Sequence, residues 1–445
     1  MHVAVIGGGP AGLYFAALAK RLSPQWEITL WERNAPDDTF GYGVVFSDET
    51  LEGIADADPE VFAAMSAEFA RWSDIDIRYG GRTVTSGGHG FAAMGRKRLL
   101  RILQQRCAAL GVDLRHRAQA PPVAELAANY DLVVAADGVH STVREQYADS
   151  FRPQLDVRGC RYMWLATDKV FEAFTFIVDR HDFGTVQVHA YPYDATRSTF
   201  IVELAEDAWR RAGFEKLAAR DHPRDTGDQD SVRLCGQLLG GHLDGHRLIA
   251  DNPRWLRFTT VANARWRHGN VVLLGDAAHT AHFSIGSGTK LAMEDALALA
   301  AALHEHPTAA EALAGYESER RPVVRSTQRA AQASLEWFET IGRSTGQPPE
   351  QFAFNLLTRS RRVGYDSLRL RDREFTDRTD AGFAPGAPGV PPMFRPYRLG
   401  GLPLRNRVVV PPMAVYGAAD GLPGAFEQLH LTTHALGGPG WCSPG

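Results

Sequence analysis

The sequence predicts an α/β fold: a Rossmann-like dinucleotide-binding domain, interrupted by an inserted antiparallel β-sheet and followed by C-terminal helices. Three observations carry this expectation. Short apolar β-branched runs at residues 3–6, 131–135 and 270–274 each stop at a glycine-bearing turn that leads into a helical stretch, as buried parallel strands do where they offer a ligand their carboxyl ends. The first of these turns is a G-x-G-x-x-G loop in its proper strand–turn–helix setting. Between residues 151 and 265 the pattern changes to successive β-rich runs with charged turns.

The 445 residues suffice for two or three domains with a sizeable core, and 44% hydrophobic against 22% charged residues is ordinary for a soluble protein. A formal net charge of −4 argues against a nucleic-acid or anionic-membrane partner. Cysteines 107, 160, 235 and 442 form no close pair and no zinc spacing, which points to a reducing cytoplasm and away from a metal site. Residues 3–19 are mostly apolar, but they lack a basic leader and are broken by three consecutive glycines. No other run approaches the roughly 18 apolar residues of a membrane span. A cytoplasmic protein is expected, of undetermined oligomeric state.

The elements follow in order. Residues 3–6 form the first strand, and Gly7-Gly8-Gly9-Pro10-Ala11-Gly12 leads into a helix over 13–22. Gly7 allows the turn, Gly9 lets a pyrophosphate reach the backbone, and Gly12 lets helix and strand pack closely. The second strand, 27–31, ends in Glu32, 20 residues beyond Gly12, where an acid binds the ribose of an adenosine; Arg33 adjoins it. NAD and FAD both satisfy this loop. Residues 39–47, with glycines at 41 and 43, form a mobile loop or short strand over the cofactor. A basic helix begins at 95 and reaches 110, and Arg96 is its candidate for a phosphate contact. The strand 131–135 ends in Asp137-Gly138, with Ser141 and Arg144 opening the next helix.

Four β-rich runs, 161–166, 173–178, 185–191 and 198–204, then predict an antiparallel sheet covering the site, and 207–219 a helix. The strand 270–274 stops at Gly275-Asp276, whose carboxylate can accept from a sugar-alcohol hydroxyl. Gly286, Gly288 and Thr289 open an alanine-rich helix whose amides and positive dipole end suit a ring that becomes anionic on reduction, such as flavin. One strand end serves a nicotinamide dehydrogenase; three call for a long flavin dinucleotide lying across the sheet. Thr308 and Glu311 read as a capping box for a helix bent at Pro322 and reaching 341. Residues 351–368 are expected to pack on the core, and the glycine- and proline-rich 381–392 to form a linker. The expected divisions are residues 1–150 and 266–380 for the cofactor domain with its C-terminal helices, 151–265 for the substrate sheet, and 381–445 for linker and tail.

With these motifs read, residues 1–375 resemble the single-component FAD aromatic-ring hydroxylases. GGGPAG, AADGVHSTVR and LLGDAAH stand in the expected order. TFGYGVVFSDETL, RYMWLATDKVFEAFTFIV, VHAYPYD and GDAAHTAHFSIGSGTKLAMED look like the subgroup of salicylyl-CoA 5-hydroxylase and 2-aminobenzoyl-CoA monooxygenase. Two departures from the wider superfamily are Phe283 and Ser284, where a proline is usual after the histidine, and Lys290, where many relatives carry asparagine.

The resemblance implies FAD as cofactor, NADH or NADPH as reductant, and O2 delivered to an electron-rich ring by a flavin hydroperoxide. It implies as substrate an aromatic acyl thioester on CoA or a carrier protein. An aryl-CoA such as salicylyl-CoA or 2-aminobenzoyl-CoA is the first reading; a hydroxylase of a carrier-protein-bound or free aromatic acid in a biosynthetic pathway and a non-catalytic FAD-binding relic are the alternatives. It puts the cofactor on the glycine loop, Glu32, Arg33, Arg96, Asp137, Gly138, Gly275, Asp276, Gly286, Gly288 and Thr289. Candidate catalytic residues are His282, Lys290 and Tyr191, with His189 and His279 near them; Arg361, Arg362, Arg369 and Arg371 are conceivable contacts for CoA phosphates. Residues 393–440 look like the opening strands of an old-yellow-enzyme FMN barrel, expected here as an incomplete remnant because such a barrel takes about 250 residues.

Overall fold

The computed structural model describes residues 1–39, 41–222, 226–384, 390–412 and 420–442. They fall into two compact units, residues 1–345 with 359–362, and residues 346–358 with 363–445.

The first unit is organised by a parallel sheet. Strands β1 (His2–Ile6), β2 (Glu27–Glu32), β8 (Asp113–His116), β9 (Leu132–Ala135) and β17 (Val271–Leu273) lie in the order β17-β9-β1-β2-β8, all parallel, and β16 (Arg267–His268) adds an antiparallel edge beside β17. The interior of β1 and all of β9 and β17 are buried, so each reads as an unbroken apolar run rather than an alternation. The helix Pro10–Leu22 packs on it with every residue from Pro10 to Ala19 buried, and Pro10 takes the first helical turn, where its missing N–H costs nothing. The helix Gly288–Glu305 returns after β17 and buries Leu291, Ala292, Met293 and Ala296 in the same core.

The second sheet is the expected antiparallel one, enlarged and made mixed by one parallel pairing. Strands β10 (Pro153–Thr167), β11 (Phe174–His181), β12 (Gly184–Pro192) and β13 (Ser198–Ala205) are joined by β14 (Leu248–Ile249) and β15 (Leu256–Asn263), both on β10, and by β5 (Ile75–Tyr79) and β6 (Arg82–Ser86) beyond β11. Register gives each face its chemistry. Tyr162 pairs with Glu203, Trp164 with Ile201, and Phe176 and Ile201 each with His189, so these side chains share one face. The other face buries Met163, Leu165, Ile177, Val188, Phe200 and Val202 against Trp209, Phe214 and Trp255. A third sheet of β3 (Gly43–Phe46), β7 (Phe91–Gly95) and β4 (Ala70–Trp72) lies in the N-terminal part of the chain.

Several expectations are corrected in detail. The expected sheet boundary at 151 is too late, since β5 and β6 come from residues 75–86. The helix foreseen over 207–219 is two, Glu206–Arg211 and Phe214–Ala218, parted by Gly213 at φ 88°. The helix Ala309–Glu339 does continue past Pro322, as expected, and ends two residues short of 341. Residues 351–368 do not all join the main core: Pro349–Thr358 and Tyr365–Arg371 belong to the second unit, and only 359–362 to the first.

In the second unit the boundary foreseen at 380 runs through a buried ion pair. Arg395, 2% exposed, meets the Asp380 carboxylate at 3.2 Å and donates to the Asp380 carbonyl at 2.7 Å, while Tyr365 donates to the same carboxylate at 2.6 Å. Its tail forms a hairpin of Tyr397–Leu399 with Leu402–Leu404, a short parallel pairing of Val409–Val410 with Trp441–Cys442, and a helix, Ala425–Leu436, with no buried residue. Phe40, the linker residues 385–389, and 413–419 and 443–445 of the tail, on which part of its resemblance rests, lie outside the described residues.

Candidate active site

The ends of β1, β9 and β17 open on one cleft of about 890 Å³, which continues under the pocket face of the second sheet. That is large for a ligand site. Every residue expected at the cofactor lines it except Gly12 and Gly275.

The glycine loop divides by role. Gly7 has φ 107°, and a Cβ there would lie 2.2 Å from the Ala136 carbonyl oxygen; at Gly12 it would lie 2.1 Å from that of Gly7. These two glycines close the loop on itself. Gly9 is different: a Cβ there would meet nothing within 4 Å, and the residue faces the cleft. This is backbone left open to a phosphate. The Glu32 carboxylate accepts from the Gly8 amide at 2.7 Å and the Asn34 amide at 2.8 Å, which fixes it at the cleft wall beside Arg33.

At the second strand end, Asp137 Oδ2 accepts from the Thr142 amide at 2.8 Å and caps the Thr142–Gln146 helix. Its buried Oδ1 has no partner among the described residues. Arg144, 4% exposed, donates to the Ala277 carbonyl at 3.0 Å and the Val139 carbonyl at 2.6 Å. It thereby ties the Asp-Gly turn to the Gly-Asp turn. Burial at the helix start gives it this bracing role.

Gly275 is the close-packing residue of the third strand end. Its φ is 60°, and a Cβ would come within 2.9 Å of the Ala11 Cβ and 3.4 Å of the Ala292 Cβ. Asp276 reaches the cleft from which Gly275 is shielded. Protein walls that leave its carboxyl open only towards the cleft push its pKa up, and the Arg96 guanidinium pulls it down. Arg96 donates through Nε to Thr39 Oγ1 at 3.1 Å, and enclosure lowers its own pKa against the pull of Asp276. The helix Gly288–Glu305 starts at Ser287 with no side-chain cap, so the amides at its start face the cleft beside Gly286, Gly288 and Thr289. Open backbone at Gly9, an unpartnered Asp137 oxygen and an uncapped helix start fit a cofactor with pyrophosphate, ribityl and redox-active ring.

The candidate catalytic residues are placed differently. Tyr191 lines the cleft, but its hydroxyl donates to the Gly43 carbonyl at 3.0 Å and burial pushes its pKa up to about 12, so it braces β3 as a protonated phenol. Lys290 turns away from the cleft towards Glu49 at 3.4 Å and Glu294 at 3.6 Å. His282 is buried behind the wall, 3.5 Å from Glu203. His279 pairs at 2.6 Å with Asp295, which Arg320 also holds, so it anchors helices. His189 does line the cleft. None of Arg361, Arg362, Arg369 and Arg371 does; Arg362 donates to Ser326 and Arg369 pairs with Asp377.

The aromatic wall itself, Tyr162, Trp164, Phe174 and Phe283, was not singled out as site residues by sequence. Nor was Glu203, the acid in the otherwise apolar run of β13. Its signal was its own charge in a strand that had to be buried.

A family model described as FAD binding domain matches residues 111–331, and one described as Lycopene cyclase protein matches 2–165. Over 92% of its length the chain is 43% identical to a salicyloyl-CoA 5-hydroxylase of Streptomyces sp., covering 79% of that protein. It is 38% identical, over 83% of the chain and 97% of the relative, to a 3-hydroxy-4-methyl-anthranilyl-[aryl-carrier protein] 5-monooxygenase of Streptosporangium sibiricum.

The chain belongs to the FAD-dependent aromatic monooxygenases.

Solved structures agree with the fold of this monooxygenase. Tetrameric 2-methyl-3-hydroxypyridine-5-carboxylic acid oxygenase superposes with a TM-score of 0.61 at 22% identity, over 83% of this chain and 97% of that one. PqsL of P. aeruginosa in complex with 2-aminobenzoylacetate gives 0.60 at 20% identity, over 78% and 99%. At these identities the likeness is one of fold. Among the described residues, no helix of the monooxygenase is long and apolar enough to cross a membrane, and no group of side chains is arranged to hold a metal ion.

Proposed function

We propose that this monooxygenase hydroxylates an aromatic ring presented as an acyl thioester, on CoA or a carrier protein, with NADH or NADPH as reductant and O2 as oxidant. The observation that carries the reading is the continuity of the cleft, from the glycine loop to a wall of Tyr162, Trp164, Phe174 and Phe283. A flat apolar ring has its place against that wall, beside the start of the Gly288–Glu305 helix. The two relatives named for a CoA-linked and a carrier-linked substrate support the thioester.

Bound FAD supplies the redox chemistry, accepting hydride from the nicotinamide and activating O2. The chain supplies binding and electrostatics. Gly9 and Arg96 would hold the pyrophosphate, Glu32 the adenosine ribose, and Asp137 and Asp276 the ribityl hydroxyls. The amides of Gly288 and Thr289 would stabilise negative charge at the redox-active ring. The aromatic wall orients the substrate and excludes water.

The test is NAD(P)H oxidation with product identification, using salicyloyl-CoA, 2-aminobenzoyl-CoA and the free acids. Thioesters should stimulate oxidation and yield ring-hydroxylated product, and free acids should not. Turnover of the free acids with inert thioesters would overturn the reading. The 38% relative favours a carrier-bound substrate as second reading; turnover of pantetheine-linked but not CoA-linked esters would establish it.

A further inference from the structure

Behind the aromatic wall lies a cluster of buried ionisable groups that cofactor binding leaves unused. Glu203, 1% exposed, stands between two histidines: His189 Nε2 is 3.3 Å from one carboxylate oxygen and His282 Nε2 is 3.5 Å from the other. His282 Nδ1 meets Ser284 Oγ at 2.9 Å, which meets Ser334 Oγ at 2.7 Å. Arg359 donates to Ser334 Oγ at 2.9 Å and to the Ser284 carbonyl at 2.6 Å. One polar atom of the cluster stands apart. His189 Nδ1 is buried without a partner among the described residues, on the one member of the cluster that lines the cleft.

Packing alone does not account for this arrangement. A carboxylate buried in a wall of aromatic and aliphatic side chains is unfavourable unless fully paired, and an unpaired ring nitrogen adds a further cost. The carboxylate at Nε2 does have a chemical consequence. It keeps the Nε2 proton facing Glu203, leaves the lone pair on Nδ1, and offers a counter-charge if Nδ1 takes a proton. Phe176, Phe283 and Phe338, with ring centroids 4.8–5.4 Å from that of His189, shield the imidazole from bulk water. Of these three, Phe283 lines the cleft, so a ring seated against it approaches His189 from that side.

We propose that His189 accepts at Nδ1 the proton of the substrate's ring hydroxyl, and that Glu203 and His282 are positioning residues that hold its tautomer and balance the imidazolium. This rests on the reading of the cleft as a hydroxylase site. In the step the substrate O–H bond breaks and the proton passes to Nδ1. The electron pair stays on the oxygen and raises electron density in the ring; when the hydroxylated carbon loses its C–H proton to water and the ring regains aromaticity, the proton on Nδ1 returns to that oxygen.

The charged and titratable neighbours set the pH range. Glu203 is held down to about 2 despite its burial, by hydrogen bonds from the two histidines. Tyr162 and Cys160 from β10 and Tyr191 from β12 are pushed up by burial and stay protonated. Arg359 is lowered by burial to about 9 and stays cationic at neutral pH. Asp276 faces Tyr162 from the cleft. Burial lowers His189, and the Glu203 carboxylate opposes that.

The test uses the FAD-loaded enzyme with salicyloyl-CoA and follows the phenolate absorption of the bound thioester against pH. In the native enzyme phenolate should appear at lower pH than for the free thioester. His189→Asn and Glu203→Gln should raise that onset by a pH unit or more and cut product per NAD(P)H about tenfold or further, while benzoyl-CoA, which lacks the hydroxyl, binds as before. His282→Asn should shift the onset less, in the same direction. A native onset and native coupling in His189→Asn would overturn the proposal, and that variant decides alone if Glu203→Gln loses its flavin. Failure of every thioester to bind or to stimulate NAD(P)H oxidation would instead sink the proposed function.

Discussion

Two alanine substitutions one turn apart should have opposite consequences. Gly9 has φ −75° and ψ 178°, which alanine adopts without strain, and the added Cβ meets nothing within 4 Å. FAD-stripped Gly9→Ala should therefore unfold in urea within about 0.5 kcal/mol of the native chain, or slightly later, because alanine restricts the unfolded backbone. FAD binding is where the methyl is felt, since it occupies the approach of the pyrophosphate. Overfilling a close-packed contact costs about 1–3 kcal/mol, which weakens the FAD Kd by about 5- to 150-fold. In Gly12→Ala the new Cβ lies 2.1 Å from the Gly7 oxygen and 3.3 Å from the Ala136 Cβ, so the helix must move by about 1 Å from its strand. That variant should lose about 3 kcal/mol or more even without flavin. Urea unfolding with a flavin-fluorescence titration separates the two effects. Native FAD affinity in Gly9→Ala, or native stability of stripped Gly12→Ala, would refute the division of roles along the loop.

Other outcomes follow from single side chains. Glu203 is held at about 2 in the folded chain against an ordinary 4.5. A depressed carboxyl stabilises the fold above its unfolded pKa, and that stability is lost as pH falls from 4.5 through about 2. At about 1.4 kcal/mol per pH unit this is roughly 3 kcal/mol, shared with His189, whose own protonation burial opposes. Acid unfolding of Glu203→Gln should accordingly converge with that of the native enzyme near pH 2, and a stability gap that persists there would contradict the assignment. Arg144→Met removes the guanidinium from the Val139 and Ala277 carbonyls, the latter keeping only a 3.4 Å bond from Asn263 Nδ2, and should cost about 1–3 kcal/mol in urea unfolding; a loss under 0.5 kcal/mol would show that the two turns hold without it. Arg96→Ala should weaken FAD about tenfold or more, as loss of a charged hydrogen bond does, and unchanged affinity by calorimetry would remove Arg96 from the phosphate site.

The parallel sheet was legible because its signals are local. Gly7 and Gly12 declare their close contacts by their spacing, and the runs 131–135 and 270–274 are apolar on both faces. The substrate side was legible only as a count of strands. The run 75–86 gave no sign that it would pair with a strand 99 residues on, since the parallel pairing of Phe174 with Ile75 (174 − 75) depends on tertiary packing. Glycine at 41 and 43 read as a mobile loop or a short strand, and the strand is Gly43–Phe46. The structure gives Gly43 a sharper reason, since a Cβ there would lie 2.6 Å from Thr199 Oγ1 and 2.8 Å from the Tyr193 Cβ.

His189 and Glu203 show where one-dimensional reading stops. His189 alternates with apolar neighbours and so reads as a polar residue on the exposed face of a half-buried strand, whereas Glu203 interrupts the apolar run of Phe200, Ile201, Val202 and Leu204. The cofactor domain and the helix Ala309–Glu339 cover that face, and the strand pleat then delivers an acid and a base to the interior. Register decides the rest: Gln187 pairs with Glu203 and His189 with Ile201, so the imidazole reaches the carboxylate on the diagonal. A one-residue slip between β12 and β13 would keep every strand and dissolve the pair.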